Sequence, residues 1–124
     1  MTYNCIKFEV AERIAQLTLN QPETSNALGA HGIVEGKPYS DWSTSGRTDV
    51  SVLVITGAGK NFCAGGNVKE MRDRTGMFSG TASEIERQYR TGIQRIPLAM
   101  QRLDIPVIAA INGAAVGARC DLAM

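Results

Sequence analysis

Two stretches of small residues, at 56–67 and 112–119, hold the residue types whose spacing suggests chemistry. Each directly follows a run of branched apolar residues, which predicts a buried strand, and each leads into the start of a predicted helix. A strand–loop–helix unit of this kind directs backbone N–H groups toward one point just beyond the carboxyl end of the strand. The first loop has no strong nucleophile beside a base. The chemistry it predicts is therefore main-chain stabilisation of an oxygen that becomes negative.

Side chains that often bind metals or act as nucleophiles are few in this sequence. Cys5, Cys63 and Cys120 are odd in number and far apart, and His31 is the single histidine. This pattern indicates neither a disulfide framework nor a metal site. We therefore expect a reducing, cytoplasmic location, no metal, and packing roles for Cys63 and Cys120.

The composition is that of an ordinary globular chain of 124 residues, with 44% hydrophobic and 20% charged residues. A net charge of +1 gives no basic footprint, so neither nucleic acid nor an anionic membrane is an expected partner. The N-terminus lacks a basic region followed by an apolar run. No apolar stretch has the length of a membrane span, so we expect no targeting or membrane segment.

Hydrophobic periodicity places the elements that position the two loops. Residues 6–10 and 14–19 alternate between apolar and polar, which predicts a β-hairpin that turns at Glu12 and Arg13. Residues 52–56 and 105–111 are continuous apolar runs, which predict two fully buried strands. Together with the helices below, these strands predict an α/β fold.

Three segments have helical signals. Residues 68–74 predict a short helix that Asn67 opens. Ser83 and Glu86 have capping-box spacing, so a longer helix is expected to begin at Ser83 and to continue along an apolar stripe. Pro97 predicts a kink or a fresh first turn in that helix, and residues 117–124 predict a final helix.

The segment 29–51 breaks the pattern, because it is rich in Gly, Ser and Thr and has no apolar residues at helical spacing. Each interior Gly disfavours a helix by about 1 kcal/mol relative to Ala. A linker of this length is uncommon inside a compact domain. Two interpretations stay open: a surface loop, or a segment foreign to the fold around it.

Taken together, several motifs resemble the enoyl-CoA hydratase/isomerase (crotonase) family. They occur in the order of the family and cover the chain outside 29–51: LNQP at 19–22, NAL at 26–28, VITG at 54–57, FCAGGNVKEM at 62–71, PVIAAING at 106–113 and VGARCDLAM at 116–124. The resemblance implies a crotonase-like spiral of β-β-α units. Residues 1–124 would be the N-terminal part of one such domain, with 29–51 as an atypical loop.

The resemblance also implies a function, which is hydration of trans-2-enoyl-CoA to 3-hydroxyacyl-CoA by a lyase of fatty acid metabolism. The N–H groups of Ala64 and Ala118 would form the oxyanion hole for the thioester enolate, and Asp121 would be a catalytic carboxylate. Coenzyme A would enter as part of the substrate, with no other cofactor, and the family usually forms homotrimers or hexamers. The implied substrate-binding residues are Ala27, Ala64, Gly65, Gly66, Asn67, Gly117 and Ala118.

Four features depart from the hydratase pattern. Asp121 stands where hydratases usually have Glu, and Arg119 stands where Gly is usual. The resemblance places the second hydratase carboxylate beyond residue 124, and an amphipathic helix at 29–51. We therefore expect the chain on its own to bind acyl-CoA weakly and to show little or no hydratase activity.

Other functions remain alternatives to the hydratase. The nearest are an enoyl-CoA isomerase of the same superfamily and a catalytically inactive fragment that serves only assembly. Asp121 has a plain structural alternative, as a carboxylate in the first turn of a helix. A nucleotide site at 56–61 fits poorly, because Phe62 replaces the last Gly of the dinucleotide motif and Asn61 replaces the Ser or Thr of a P-loop.

Overall fold

The computed structural model describes residues 5–27 and 48–124. The predictions for residues 29–47 therefore lie outside the described residues. Within the two ranges the strands are β1 (Ile6–Ala11), β2 (Ile14–Leu19), β3 (Val52–Gly57) and β4 (Val107–Ala110), and the α-helices are α1 (Val68–Asp73), α2 (Ala82–Thr91), α3 (Arg95–Met100) and α4 (Ala118–Ala123).

The four strands form one sheet in the order β1-β2-β3-β4. β1 and β2 are antiparallel and turn through Glu12 and Arg13, which adopt the left-handed φ values of 49° and 67°. The predicted hairpin is therefore confirmed. β3 pairs in parallel with β2 on one side and with β4 on the other. Because β3 and β4 are parallel, the loops that follow them leave from the same edge of the sheet.

One face of the sheet holds the core. Leu17 and Ile55 are paired in register and are both 0% exposed, and Ala15 and Leu53 are buried beside them. Burying one Leu or Ile side chain contributes about 1.5–3 kcal/mol. The alternate residues of β3 are only partly buried, so the strand at 52–56 is confirmed but the prediction that it is fully buried is wrong.

The predicted strand at 105–111 is shorter and less buried than the sequence indicates. β4 lies at the edge of the described sheet, and Ile108 on its outer face is 54% exposed. Ile111, just after β4, is 52% exposed. The prediction of a fully buried strand is wrong here because no described element covers that outer face.

Helix α2 begins two residues earlier than the capping-box prediction. Thr81, in an extended backbone conformation, is its N-cap. The Thr81 Oγ1 accepts the N–H of Glu84 at 3.3 Å, and the Glu84 carboxylate accepts the N–H of Thr81 at 2.7 Å. Both candidate pairs have the same spacing, but the extended backbone falls at Thr81, so Ser83 is inside the helix.

The apolar stripe of α2 continues in a separate helix. α2 ends at Gly92, and Pro97 lies in the first turn of α3, as the fresh-turn alternative predicted. Tyr89 of α2 is fixed by an edge-to-face contact with Phe78, with ring centroids 6.0 Å apart. In the described part of the chain, no helix has the length and apolar character needed to cross a membrane.

Candidate active site

The loops after β3 and β4 run side by side at the carboxyl edge of the sheet. The N–H of Cys63 donates to the carbonyl of Ala114 at 2.9 Å, and the N–H of Val116 donates to the carbonyl of Cys63 at 3.0 Å. These two bonds form a parallel bridge between Cys63 and Ala115. The structure therefore brings together the two loops that the sequence singled out.

Small residues are required where the loops touch. Gly65 has a left-handed φ of 80°, and a Cβ there would lie 2.7 Å from the carbonyl oxygen of Val116. Gly113 lies so close to the Lys60 carbonyl that any Cβ would collide with it. Gly117 has a φ of 67°, and its Cβ would stand 3.8 Å from the Cα of Gly65. Only main chain fits between the loops.

The N–H that the sequence suggested as the donor of the first loop is hydrogen-bonded within the chain. The N–H of Ala64 donates to the carbonyl of Ser25 at 2.9 Å. It would have to exchange this partner for a ligand oxygen, and the role of Ala64 as an oxyanion donor stays a prediction. The next N–H, of Gly65, donates to the Cys63 Sγ at 3.3 Å.

Several N–H groups of the two loops make no hydrogen bond within residues 5–27 and 48–124, and those of Gly66 and Ala118 are among them. Ala118 is the first residue of α4, where N–H groups have no partner in the helix. The donor role of the Ala118 N–H stays a prediction, and Gly66 offers an alternative to Ala64 in the first loop.

Asn67 has a structural role that the sequence also predicted. Its Oδ1 accepts the N–H groups of Lys69 at 3.1 Å and Glu70 at 3.3 Å, which caps α1. The cap fixes the direction in which the chain leaves Gly66. That Gly65, Gly66 and Asn67 line a substrate path stays a prediction.

A cavity of about 500 Å³ opens beside Ala118. Its walls come from α2, α3, β4 and α4, and most of the lining side chains are apolar. Tyr89, Ile93, Ile96, Pro97, Met100, Val107 and Ala109 contribute the apolar surface, and Asp121 is the one carboxylate on the described lining. Part of the predicted apolar stripe lines this cavity, while Met100 and Leu103 of the stripe also pack against the core.

Asp121 and Ala118 line the same cavity. Asp121 lies in the first turn of α4, where the helix dipole favours a negative charge. The structure thus brings two of the three predicted catalytic residues together. The expectation about the Arg119 side chain lies outside the described side chains.

Ala27, the remaining predicted binding residue, is buried, and its N–H donates to the carbonyl of Thr24 at 3.1 Å. It is the last described residue before the gap, so its predicted contact with substrate is untested. Among the described residues, no group of three His, Cys, Asp or Glu side chains is placed to hold a metal ion.

Sequence reasoning missed two asparagines that hold the loops. Asn26 donates to three carbonyls of the first loop, and Asn112 connects the second loop to the first. The sequence singled out Asn26 only as part of the NAL motif at 26–28. The sequence around Asn26 does not reveal this role, because the carbonyls that its side chain binds are 32 to 36 residues away in the chain.

A mixed sheet with two paired loops at the carboxyl ends of parallel strands defines an α/β protein. The model of the enoyl-CoA hydratase/isomerase family matches residues 9–124. The chain belongs to this family, and the crotonase-type α/β fold that the sequence predicted is confirmed.

The named relatives of this chain include both a hydratase and an isomerase. It is 35% identical over its whole length to a crotonyl-CoA hydratase of Syntrophomonas wolfei and covers 45% of that protein. It is 32% identical to a peroxisomal Delta(3,5)-Delta(2,4)-dienoyl-CoA isomerase of Arabidopsis thaliana, with 98% of this chain and 45% of that protein covered.

A solved enoyl-CoA hydratase of Mycobacterium smegmatis superposes with a TM-score of 0.80 at 32% identity. The match covers 95% of this chain and 44% of that one. The chain thus spans less than half of the length of these three relatives.

Proposed function

We propose that this chain is the acyl-CoA-binding part of a trans-2-enoyl-CoA hydratase and holds the thioester oxygen while negative charge develops on it. The observation that carries the proposal is the convergence of Ala118 and Asp121 on one apolar cavity. Membership of the enoyl-CoA hydratase/isomerase family supports it. The proposal needs no metal and no cofactor beyond the CoA portion of the substrate.

The N–H groups of Gly66 and Ala118 are the proposed donors to the thioester oxygen. Both belong to main chain that the paired loops hold in place, so little reorganisation is needed when charge develops. The loss of one such donor typically costs about 3 kcal/mol of barrier stabilisation. Gly66 takes this role in place of Ala64, whose N–H is bonded to Ser25.

The acyl group occupies the apolar cavity. Side chains of α2 and α3, such as Ile93 and Met100, offer hydrocarbon surface to an aliphatic chain. Each CH₂ removed from water contributes about 0.8 kcal/mol. The cavity thus fits the hydrocarbon end of the ligand, and Ala118 on its lining offers an N–H to the polar thioester.

Asp121 is the proposed acid–base group. In its ionised form the carboxylate takes a proton from the α-carbon, and the electron pair moves onto the thioester oxygen, giving an enolate that Gly66 and Ala118 stabilise. Return of the proton reverses the step. A positioned general base contributes typically 10²–10⁴-fold to such a transfer. Hydration of the double bond requires water activation as well, for which the resemblance implies a second carboxylate.

Proton exchange at the α-carbon of butyryl-CoA in D₂O tests this minimal chemistry. We expect deuterium at the α-carbon at a rate above that of the uncatalysed thioester, measured by mass spectrometry. Binding without exchange contradicts the role of Asp121. The absence of any butyryl-CoA binding in calorimetry contradicts the proposal as a whole.

An isomerase is the second candidate, because a single carboxylate suffices to move a proton between two carbons of an enoyl group. The dienoyl-CoA isomerase of Arabidopsis thaliana, at 32% identity, supports this alternative. A 3-enoyl-CoA distinguishes the two: an isomerase produces the conjugated enoyl absorbance, whereas a hydratase removes that absorbance from a 2-enoyl-CoA.

A further inference from the structure

Asn26 is a buried polar residue in a tight turn at the end of the first described range, residues 5–27. It is 2% exposed, and both it and Ser25 adopt left-handed φ values, of 56° and 53°. Asn tolerates this conformation better than most residues with a side chain. The turn directs the Asn26 carboxamide toward the loop that follows β3.

The Asn26 carboxamide binds that loop by donating hydrogen bonds to backbone carbonyl groups of the loop. The Asn26 Nδ2 lies 3.0 Å from the carbonyl oxygen of Ala58, 2.9 Å from that of Asn61 and 3.2 Å from that of Phe62. Its Oδ1 accepts the N–H of Gln21 at 2.8 Å. An amide nitrogen carries two hydrogens, so the three carbonyls share them.

The backbone of the same turn extends this hold along the loop. The carbonyl of Ser25 accepts the N–H of Ala64 at 2.9 Å, and the carbonyl of Asn26 accepts the Sγ–H of Cys63 at 2.8 Å. The Ser25 Oγ accepts the Nδ2–H of Asn61 at 3.0 Å. The held residues therefore reach Ala64, which is separated from Gly66 by one residue.

Asn112 holds the same loop from the opposite side. Its Oδ1 accepts the N–H of Gly57 at 3.1 Å, and its Nδ2 donates to the carbonyl of Gly59 at 2.9 Å. Asn112 belongs to the loop that leads to Ala118. The first loop is thus bonded on one side to the Ser25–Asn26 turn and on the other to the second donor loop.

We infer that Asn26 is a positioning residue whose buried carboxamide fixes the path of residues 58–64 and so sets where the N–H of Gly66 lies relative to that of Ala118. Asn26 does not touch the ligand. Its two donors satisfy partly or fully buried carbonyls, and a buried carbonyl that loses its partner is costly. A purely structural residue would affect stability alone, whereas a positioning residue also affects how strongly the ligand carbonyl is polarised.

Two replacements of Asn26 distinguish the contribution of the backbone conformation from that of the side-chain hydrogen bonds. Asn26→Gly keeps the left-handed backbone at no steric cost and removes the carboxamide. Asn26→Asp keeps the shape but places a carboxylate against carbonyl oxygens. Thr24→Ala is the matched control, because Thr24 is exposed in the same turn and its Oγ1 bonds only locally, to the carbonyl of Gln21 at 3.2 Å.

Amide hydrogen exchange on the full chain is the first measurement and does not depend on the proposed function. For both Asn26 variants we expect protection of the Ala64 amide to fall about tenfold, the equivalent of one lost hydrogen bond. Amides of the β2–β3 ladder should change by less than about twofold. Equal losses at all of these amides, or no loss at Ala64, overturn the inference.

The second measurement rests on the proposed function and uses cinnamoyl-CoA, whose conjugated thioester absorbs at longer wavelength when its carbonyl is polarised. We expect the wild type and Thr24→Ala to shift the band, and Asn26→Gly to bind the probe but lose most of the shift. A full shift in Asn26→Gly overturns the inference. No shift in the wild type contradicts the proposed function instead, and the exchange at Ala64 then decides the role of Asn26.

If neither Asn26 variant folds, Ser25→Ala is a smaller change that can be tested instead. It removes the bond from the Asn61 Nδ2 and leaves the Asn26 carboxamide in place. We expect a smaller loss of protection at Ala64 in the same direction. A loss of protection at Ala64 of tenfold or more in this variant would show that the Ser25 hydroxyl, rather than the Asn26 carboxamide, holds the loop, and would contradict the inference.

Discussion

The carbonyl oxygen of Val116 lies so close to Gly65 that a Cβ at position 65 would stand 2.7 Å from it. This contact joins the two loops by main chain alone, next to the bridge between Cys63 and Ala115. Gly65 directly precedes Gly66, one of the two proposed donors. The distance between the donors therefore depends on a contact that only glycine permits at position 65.

Replacing Gly65 by Ala should destabilise the protein strongly. The new Cβ meets a backbone carbonyl, and the left-handed φ of 80° is unfavourable for Ala. Together these effects are expected to lower the free energy of unfolding by about 2 kcal/mol or more. Urea unfolding followed by circular dichroism measures the change.

Gly66→Ala is the matched control for that experiment. Its Cβ would approach the end of the Met71 side chain, which can rotate away, and Gly66 has no left-handed φ. We expect a smaller loss, below about 1 kcal/mol. If Gly66→Ala is as damaging as Gly65→Ala, the contact with Val116 is not what requires glycine.

The cap of α2 makes a pH-dependent prediction. Hydrogen bonds from the Thr81 backbone and side chain lower the pKa of Glu84 from its ordinary value of 4.5. Because the folded pKa is lowered, this stabilisation is present above the unfolded pKa and is lost as pH falls through the folded pKa. Thr81→Ala should lower the urea midpoint more at pH 7 than at pH 3.

Ser83→Ala distinguishes this cap from the one that the sequence indicated. Ser83 is inside α2, so its replacement should leave the urea midpoint nearly unchanged at both pH values. A larger effect for Ser83→Ala than for Thr81→Ala would show that α2 begins where the sequence pattern placed it.

The cavity predicts a dependence of affinity on acyl-chain length. If the acyl group lies between α2, α3 and α4, each added CH₂ should strengthen binding by about 0.8 kcal/mol until the cavity is filled. Met100→Trp fills the cavity and should abolish this gain in a calorimetric series from acetyl-CoA to hexanoyl-CoA. Leu98→Trp is the control on the same helix, since Leu98 is 52% exposed and does not line the cavity.

Asp121→Asn tests the acid–base role. The amide keeps the size of the side chain but cannot take a proton, so α-proton exchange of butyryl-CoA should fall about 100-fold. The dissociation constant for butyryl-CoA should change little. Asp104→Asn, an exposed carboxyl that does not line the cavity, should leave exchange unaffected. If α-proton exchange is equally fast in Asp121→Asn and in the wild type, Asp121 has only a structural role, as a carboxylate in the first turn of α4.

Much of the fold could be predicted because its signals are local. The period-2 alternation of β1 and β2, the apolar run of β3 and the Asn67 cap each lie within a few residues. The glycine loops were also recognisable, since small residues after a strand are unusual unless main chain must approach closely.

What the sequence could not predict depends on contacts between residues that are distant in the chain. Which N–H of the first loop remains for a ligand depends on Ser25, whose carbonyl takes the N–H of Ala64. The exposure of Ile108 depends on β4 lying at the sheet edge. The break between α2 and α3 falls at Gly92, whereas the sequence signal for a break is Pro97, which lies inside the first turn of α3.

The central claim is that main-chain donors at Gly66 and Ala118 hold a thioester oxygen. The most direct test compares the calorimetric affinity of crotonyl-CoA with that of its thioether analogue, which lacks only the carbonyl oxygen. Two hydrogen bonds to that oxygen predict about tenfold or more tighter binding of the thioester. Equal affinity for the two compounds would contradict the claim.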